Sequence, residues 1–395
     1  MNRLVSALLF GLTASLATAA PNELIVKVRQ ISDITTVLFR YPLLSIVESS
    51  TDRLTTLVRA PDARLARLLC SLLQVDPLVE VVDLNALTSM GGQSGKGSTI
   101  PVISADSDLR GRNAALFSLI NMANGSRAGS RGGRAVRLAI LDTGLALNQT
   151  SLQNKTLFAK NYQASGYPAD APENCDSDGD GYRDEFVGHG TLVAAIASAT
   201  SPSARFLICK VADADGNAEV WKIMRALDDC LENGAEVVSI SLGMTLSNRV
   251  LADSLKTMEL NRITVVAAIG NNQSNLALYP SSEPTVVCVA GINAYSQKIA
   301  VSNWNTVCDV SAPAAGEALC ADGQVRQWNG TSFATPMVAG AICEALSQVG
   351  TRFPNSVRLA LSEGGNLNGA NPSYPNQLGR RLDCGSLCSR LANSP

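Results

Sequence analysis

Residues 136–144 read VRLAILDTG, an apolar run that stops on an aspartate and turns at once through threonine and glycine. Val136–Leu141 is short, aliphatic and bounded by a turn signal, the pattern of a strand buried on both faces. Similar runs follow at Arg205–Val211, Glu236–Leu242, Thr264–Ile269, Thr285–Ala290 and Cys308–Ala312. Between two of them, Val220, Ile223, Met224, Leu227 and Leu231 fall on one helical face. Buried strands alternating with helices predict an α/β fold, a mainly parallel sheet with helices on both faces. Sheets of this kind bind ligands at the carboxyl ends of their strands, so chemistry is to be sought where the runs stop.

Upstream the pattern changes twice. Met1–Ala20 carries Arg3, the apolar run Leu4–Leu16 and the small residues Ala17–Ala20, the pattern of a secretory signal cleaved after Ala19 or Ala20. The run falls short of the ~20 apolar residues that span a membrane, so a secreted protein without a membrane span is expected. Residues 21–87 predict a small α+β domain with strands at Glu23–Val28, Leu54–Arg59 and Leu78–Leu84 and a helix over Asp62–Val75. Residues 88–134 are rich in Gly, Ser, Arg and Asn and read as a linker, cleavable by composition at Met90–Ser98, with one helix at Asn113–Ala123. The remaining residues, 135–395, form one large domain.

Composition narrows the chemistry. The 395 residues carry 32 Lys+Arg against 34 Asp+Glu, a net charge of -2 that gives nucleic-acid binding no electrostatic support. A single histidine excludes any zinc site needing two imidazoles, and imidazole chemistry of any kind must use His189.

Four polar residues stand where runs stop or helices begin. Asp142 ends the first run; His189 lies in GHGT ahead of the small-residue helix Leu192–Ala199; Asn271 ends VVAAIG; Ser332 opens a long apolar helix within NGTSFATP. A serine hydroxyl becomes a nucleophile when an imidazole takes its proton, and that imidazole needs an acid to fix its tautomer. A helix N-terminus offers Ser332 unpaired N–H groups, and an asparagine amide can complete an oxyanion hole. Taken singly, Ser332 could cap a helix, Asp142 and Asn271 could form turns, and His189 could fill the core.

In matching flanks and in this order, the four residues resemble the subtilisin-like serine endopeptidases (subtilases). The likeness runs through ILDTG at Ile140–Gly144, GHGTLVA at Gly188–Ala194, SISLG at Ser239–Gly243, AAIGN at Ala267–Asn271 and NGTSFATPMVAGA at Asn329–Ala341. It implies Ser332 as nucleophile, His189 as general base and then acid, Asp142 as its orienting partner, and Asn271 as oxyanion donor. It also implies a substrate cleft walled by Ser241, Leu242 and Gly243 on one side and Ala268 and Gly270 on the other. Those walls hold no acid, which favours an uncharged P1 residue. The 21–87 domain resembles the family's inhibitory and chaperoning propeptide, so protein or peptide substrates and the chain's own propeptide are the expected partners. A non-catalytic calcium-stabilised binding module on the same scaffold, or a peptide ligase using the same acyl-enzyme, are the competing functions. Leu192 and Met337 stand where many relatives keep further histidines, so His189 has no stand-in.

Two features remain open. The acidic loop Asp176–Asp184 places Asp176, Asp178, Asp180 and Asp184 at EF-hand-like spacing, although Val187 stands where the bidentate Glu belongs. A structural calcium site and a solvated acidic loop both fit, and the chemistry itself needs no cofactor. Ten cysteines in an exported chain permit disulfides, with Cys308–Cys320 a reasonable pair and Cys209, Cys288 and Cys343 in apolar runs.

Overall fold

Arg137–Asp142 is a strand, and its alternation decides the layering. Leu138 and Ile140 face one side of the sheet, Ala139 and Leu141 the other, and all four are buried. The computed structural model describes residues 22–50, 52, 54–90, 108–122 and 133–393, so the leader and most of the cleavable connector lie outside the described residues.

The N-terminal module contains β1 (Glu23–Val28), α1 (Asp33–Arg40), β2 (Ser45–Ser49), β3 (Thr55–Arg59), α2 (Ala63–Leu73) and β4 (Val79–Leu84). Its antiparallel sheet, ordered β2-β3-β1-β4, packs Leu24, Val26 and Val28 against Val37, Ala66, Leu69 and Leu73 of the two helices. Then come β5 (Leu87–Ser89), α3 (Leu109–Arg112) and α4 (Ala114–Leu119). Within the 113–123 span, where one helix is expected, α4 covers Ala114–Leu119, and the short α3 precedes it. Asn113 stands between them, its Nδ2 donating to Leu109 O at 2.9 Å and Glu317 O at 2.8 Å.

The large domain runs β6 (Arg137–Asp142), α5 (Thr150–Gln153), β7 (Thr156–Asn161), α6 (His189–Thr200), β8 (Arg205–Lys210), β9 (Asn217–Glu219), α7 (Val220–Glu232), β10 (Val237–Ile240) and α8 (Arg249–Leu260). It continues with β11 (Thr264–Ala268), β12 (Val286–Ile292), β13 (Val310–Pro313), β14 (Ala315–Leu319), β15 (Val325–Asn329), α9 (Thr331–Val349), α10 (Pro354–Leu361), β16 (Arg380–Arg381) and α11 (Cys384–Ala392). The main sheet is ordered β16-β13-β12-β11-β10-β6-β8-β7 and every pairing in it is parallel. Helices α6, α9 and α11 cover one face, α7 and α8 the other, as the unbroken apolar strands require. From β6 the chain builds outward first to β7 and β8, then to β10–β13 on the opposite flank. The order thus reverses between β6 and β10, the place where sheets of this kind bind ligands at the strands' carboxyl ends.

The module rests the bare face of its sheet on the large domain: Ile25 and Leu57 join the buried cluster of α7 and α8. Polar contacts cap those same helices. Asn85 Oδ1 accepts from Trp221 N at 3.0 Å and Asp83 Oδ2 from Arg249 N at 2.9 Å, satisfying N–H groups that the helix starts leave open. Lys27 Nζ meets Asp253 Oδ2 at 2.7 Å beside them.

All ten cysteines are thiols, which corrects the expected Cys308–Cys320 bridge. Cys308 lies just before β13 with its Sγ 3.7 Å from Cys288 O on β12, whereas Cys320 enters the β14–β15 turn. Among the described residues no helix is long and apolar enough to cross a membrane.

Candidate active site

The strands β11, β10 and β6 are neighbours running the same way, so the residues beyond their carboxyl ends share one edge of the sheet. Asp142 closes β6, Ser241–Gly243 follow β10, and Asn271 lies just past β11. His189 begins α6, whose first turn is brought against the β6 turn because Gly190 and Gly144 leave room for each other. A Cβ at Gly190 would stand 2.3 Å from Gly144 O. The result is a buried bond, His189 Nδ1 to Asp142 Oδ1 at 2.7 Å, with both side chains 1% exposed.

This pair holds the ring on one tautomer, Nδ1–H toward the carboxylate, and turns Nε2 outward. Burial would lower the imidazole pKa, but the charge and hydrogen bond of Asp142, with a further contribution from Asp170, raise it above 6.5. Asp142 Oδ2 is buried with no partner among the described residues. Phe186 and Trp328 approach the imidazole edge-on, their ring centroids 5.8 Å and 6.0 Å away.

Ser332 is the second residue of α9 and is 4% exposed. Asn271 is fastened to the residue before it: its Oδ1 accepts from Thr331 N at 2.9 Å and Thr331 Oγ1 at 3.0 Å. With Oδ1 so occupied, Nδ2 is the end of the amide left to donate at the start of α9. The helices that begin with His189 and carry Ser332 touch closely, because Gly340 of α9 lies where a Cβ would come 2.6 Å from Thr200 Cβ of α6.

The residues expected to wall a cleft lie at the ends of β10 and β11. Leu242 and Ala268 are buried, Ser241 Oγ is buried without a partner among the described residues, and Gly270 adopts φ +114° where a Cβ would strike Asn303 and Leu278. The cleft is crossed by the chain's own β5, antiparallel to β9, with Leu87 opposite Glu219 and Ser89 opposite Asn217. On its other side Ser89 N donates to Gly243 O at 3.0 Å and Gly243 N to Ser89 O at 2.8 Å. Met90 N then donates to Gly216 O at 3.1 Å. An extended peptide therefore lies between 216–219 and 243, bonded by backbone on both edges.

Three charged residues escape a reading of the sequence alone. Lys210 at the end of β8 is buried, its Nζ donating to Thr143 O at 2.8 Å and pairing with Glu173 Oε1 at 3.0 Å. A lysine closing an otherwise apolar strand is the available signal. Asp170 is 3% exposed and bonds on both sides of the Asp142–His189 pair. Asp215 is 4% exposed and meets the acidic loop. Nothing in the spacing of the last two marks them.

Of the four loop carboxylates, Asp176 and Asp178 come together with Asp215, their oxygens all within 4.8 Å. Asp180 Oδ1 instead accepts from Tyr182 N at 2.8 Å. Asp184 accepts from the backbone N–H groups of Glu173, Asn174 and Cys175, and these bonds outweigh its burial and hold its pKa below the usual range.

A family model described as the Subtilase family matches residues 133–363. The thermophilic serine proteinase of Bacillus sp. (strain AK1) is 29% identical over 231 residues, 55% of this chain and 54% of that protein. Thermitase of Thermoactinomyces vulgaris is 28% identical over 240 residues, 58% of this chain and 80% of its own length. The chain thus spans about half the length of the first relative and most of the second. The crystal structure of the epidermin leader peptide processing serine protease EpiP from Staphylococcus aureus superposes with a TM-score of 0.70 at 17% identity, covering 95% of this chain and 99% of that one, a likeness of fold. With more than half its length matched by the family model, the chain belongs to the subtilase family of subtilisin-like serine peptidases.

Proposed function

We propose that the protein is a secreted serine endopeptidase, made with an inhibitory propeptide over residues 21–87 and matured by cleavage in the connector beyond β5, which frees it. The observation that carries this reading is β5, a stretch of polypeptide held in extended form by backbone bonds on both edges of the cleft beside the Asp142–His189 pair. Backbone pairing accepts many side chains and needs no free terminus, which suits cleavage within a chain.

In this mechanism Ser332 Oγ attacks the scissile carbonyl while His189 Nε2 takes its proton, and Asp142 stabilises the imidazolium through Nδ1–H. Asn271 Nδ2 and the N–H at Ser332 receive the oxyanion, aided by the positive end of α9. His189 then protonates the leaving amine, an acyl-enzyme remains on Ser332, and water activated by the same imidazole releases it. The wall formed by Ser241, Leu242, Gly243, Ala268 and Gly270 takes the P1 side chain; its lack of charge favours an uncharged residue there. Peptidase assays with casein or peptide anilides, run beside Ser332→Ala, test this. Cleavage that survives the substitution removes Ser332 from the role, and labelling by a fluorophosphonate probe must vanish with it.

We infer further that Asp176, Asp178 and Asp215 hold a structural calcium ion. Asp176 Oδ1 and Asp215 Oδ1 are buried with no partner among the described residues, and hard carboxylate oxygens this close suit that ion. No step of the chemistry passes through it. Calorimetric titration of the Ser332→Ala chain with calcium, repeated on Ser332→Ala/Asp215→Asn, checks the assignment. Equal heats in the two would remove Asp215 from the site.

A further inference from the structure

We propose that Asp170 is a positioning residue, a buried carboxylate that locks the turn after Asp142 to the first turn of the His189 helix. It rests on the reading of Asp142, His189 and Ser332 as the reacting machinery.

Asp170 comes from the long loop between β7 and α6, well before His189 in the chain. It is brought to the site by a parallel bridge between Leu145 and Ala169, in which Leu145 N donates to Pro168 O at 2.9 Å and Asp170 N to Leu145 O at 3.3 Å. There its oxygens accept four bonds. Oδ1 receives Gly188 N at 2.8 Å and Thr143 Oγ1 at 3.0 Å. Oδ2 receives Thr191 N at 2.9 Å and Thr191 Oγ1 at 2.6 Å. The two threonines carry the connection onward: Thr143 Oγ1 accepts from Gly190 N at 2.9 Å, and Thr191 Oγ1 from Ala146 N at 3.0 Å. Thr143 and Gly188 are the immediate neighbours of Asp142 and His189. One anion therefore fixes the backbone on both sides of the 2.7 Å catalytic hydrogen bond.

A neutral side chain cannot do the same work. An asparagine has one acceptor oxygen, so its NH₂ would face N–H groups that now donate. The charge also matters, because it stands at the N-terminal end of α6, where unpaired N–H groups favour an anion. The charged groups around it are Asp142 at the end of β6, His189 on α6, and Lys210 on β8, which reaches the same turn through Thr143 O and pairs with Glu173. The Cys320 thiol faces it from the turn after β14, its pKa pushed up by burial so that it adds no charge. Burial raises the pKa of Asp170, while the hydrogen bonds from the Thr191 hydroxyl and from the Gly188 and Thr191 N–H groups oppose the rise. Its field adds to that of Asp142 at the imidazole.

The test compares kcat, KM and the pH dependence of kcat/KM on a peptide anilide for mature wild type, Asp170→Asn, Thr143→Val and Thr191→Val. Asp170→Asn should lower kcat about ten- to a hundredfold with KM nearly unchanged, as misplacement of a reacting group does. Its acid limb should also move to lower pH, because the imidazole loses a stabilising negative charge; a role confined to holding the fold would leave that limb in place. The threonine variants keep the charge, so they should lower kcat without moving the limb. Wild-type kcat and an unmoved limb in Asp170→Asn would overturn the proposal. Should Asp170→Asn fail to fold, wild-type kcat in both threonine variants would overturn it instead. Failure of the wider reading looks different, since wild type itself would then cleave no peptide.

Discussion

Gly190 and Gly144 meet backbone to backbone, so close that a Cβ on Gly190 would lie 2.3 Å from Gly144 O and 2.8 Å from Gly144 N. The obstacle is main chain, which cannot swing aside as a flexible side chain would. Gly190→Ala should therefore push the first turn of α6 away from the β6 turn and lengthen the His189–Asp142 bond. A fall in kcat of about a hundredfold, with the melting temperature lowered as well, is expected. Steady-state kinetics beside a thermal melt measure both.

Activity and stability should respond to pH in opposite senses at His189. The folded imidazole holds its proton more tightly than the unfolded chain does, since Asp142 and Asp170 overcome the effect of burial. Its pairing with Asp142 therefore stabilises the fold fully below about pH 6.5 and loses that contribution as pH rises through the raised folded value. In the proposed role of general base, by contrast, the imidazole is competent only above that value. The acid limb of kcat/KM should lie above about 6.5, and the melting-temperature gap between wild type and His189→Ala should be widest near about pH 5.5 and narrow as pH increases. A limb below the ordinary imidazole value would contradict the arrangement.

Asn85 is fully buried where the N-terminal module meets α7. Its Oδ1 caps Trp221 N, while its Nδ2 donates to Glu23 Oε2 and Glu219 Oε2, each at 3.0 Å. Asn85→Ala removes the cap and leaves two carboxylates without their shared donor. The loss should be about 1–2 kcal/mol, or roughly five- to thirtyfold weaker holding of the module. The lag before peptidase activity appears in freshly refolded protein should shorten accordingly, and an unchanged lag would count against this contact.

Gly340 poses two effects against each other. Replacing a helical glycine by alanine gains about 1 kcal/mol of intrinsic helix preference. The added methyl, however, would sit 2.6 Å from Thr200 Cβ and 3.1 Å from Ala197 O, between the helices that carry Ser332 and His189. Overpacking of about 1–3 kcal/mol should win, so Gly340→Ala is expected to lower the urea midpoint.

How much of the fold is legible in the sequence depends on burial. The central strands can be placed to within a residue or two because runs such as VVCVAGI are apolar throughout and read only one way. The edge strand β7 is not legible: TLFAKN is half-exposed, with Leu157 59% exposed, and it lacks the run that marks a central strand. Helix α8 is obscured because its polar residues blur the period, although Asn248 caps it through Leu251 N at 3.0 Å. In the site, Asp142, His189, Asn271 and Ser332 are readable because each interrupts or opens an apolar stretch. Asp170 and Asp215 act across turns made by tertiary pairing, and no local pattern records that.

The strand β5 has a consequence for how the protein would be kept silent. While residues 87–90 remain covalently joined to the large domain, the cleft and its occupant share one molecule, and the occupant's local concentration is of millimolar order at any dilution. Cutting that connection converts the same contacts into a two-body equilibrium, governed by how much protein there is per volume. On the exported reading, crowding where the chain is made would keep the cleft filled. Dispersal outside would empty it, so that distance from the cell acts as the switch.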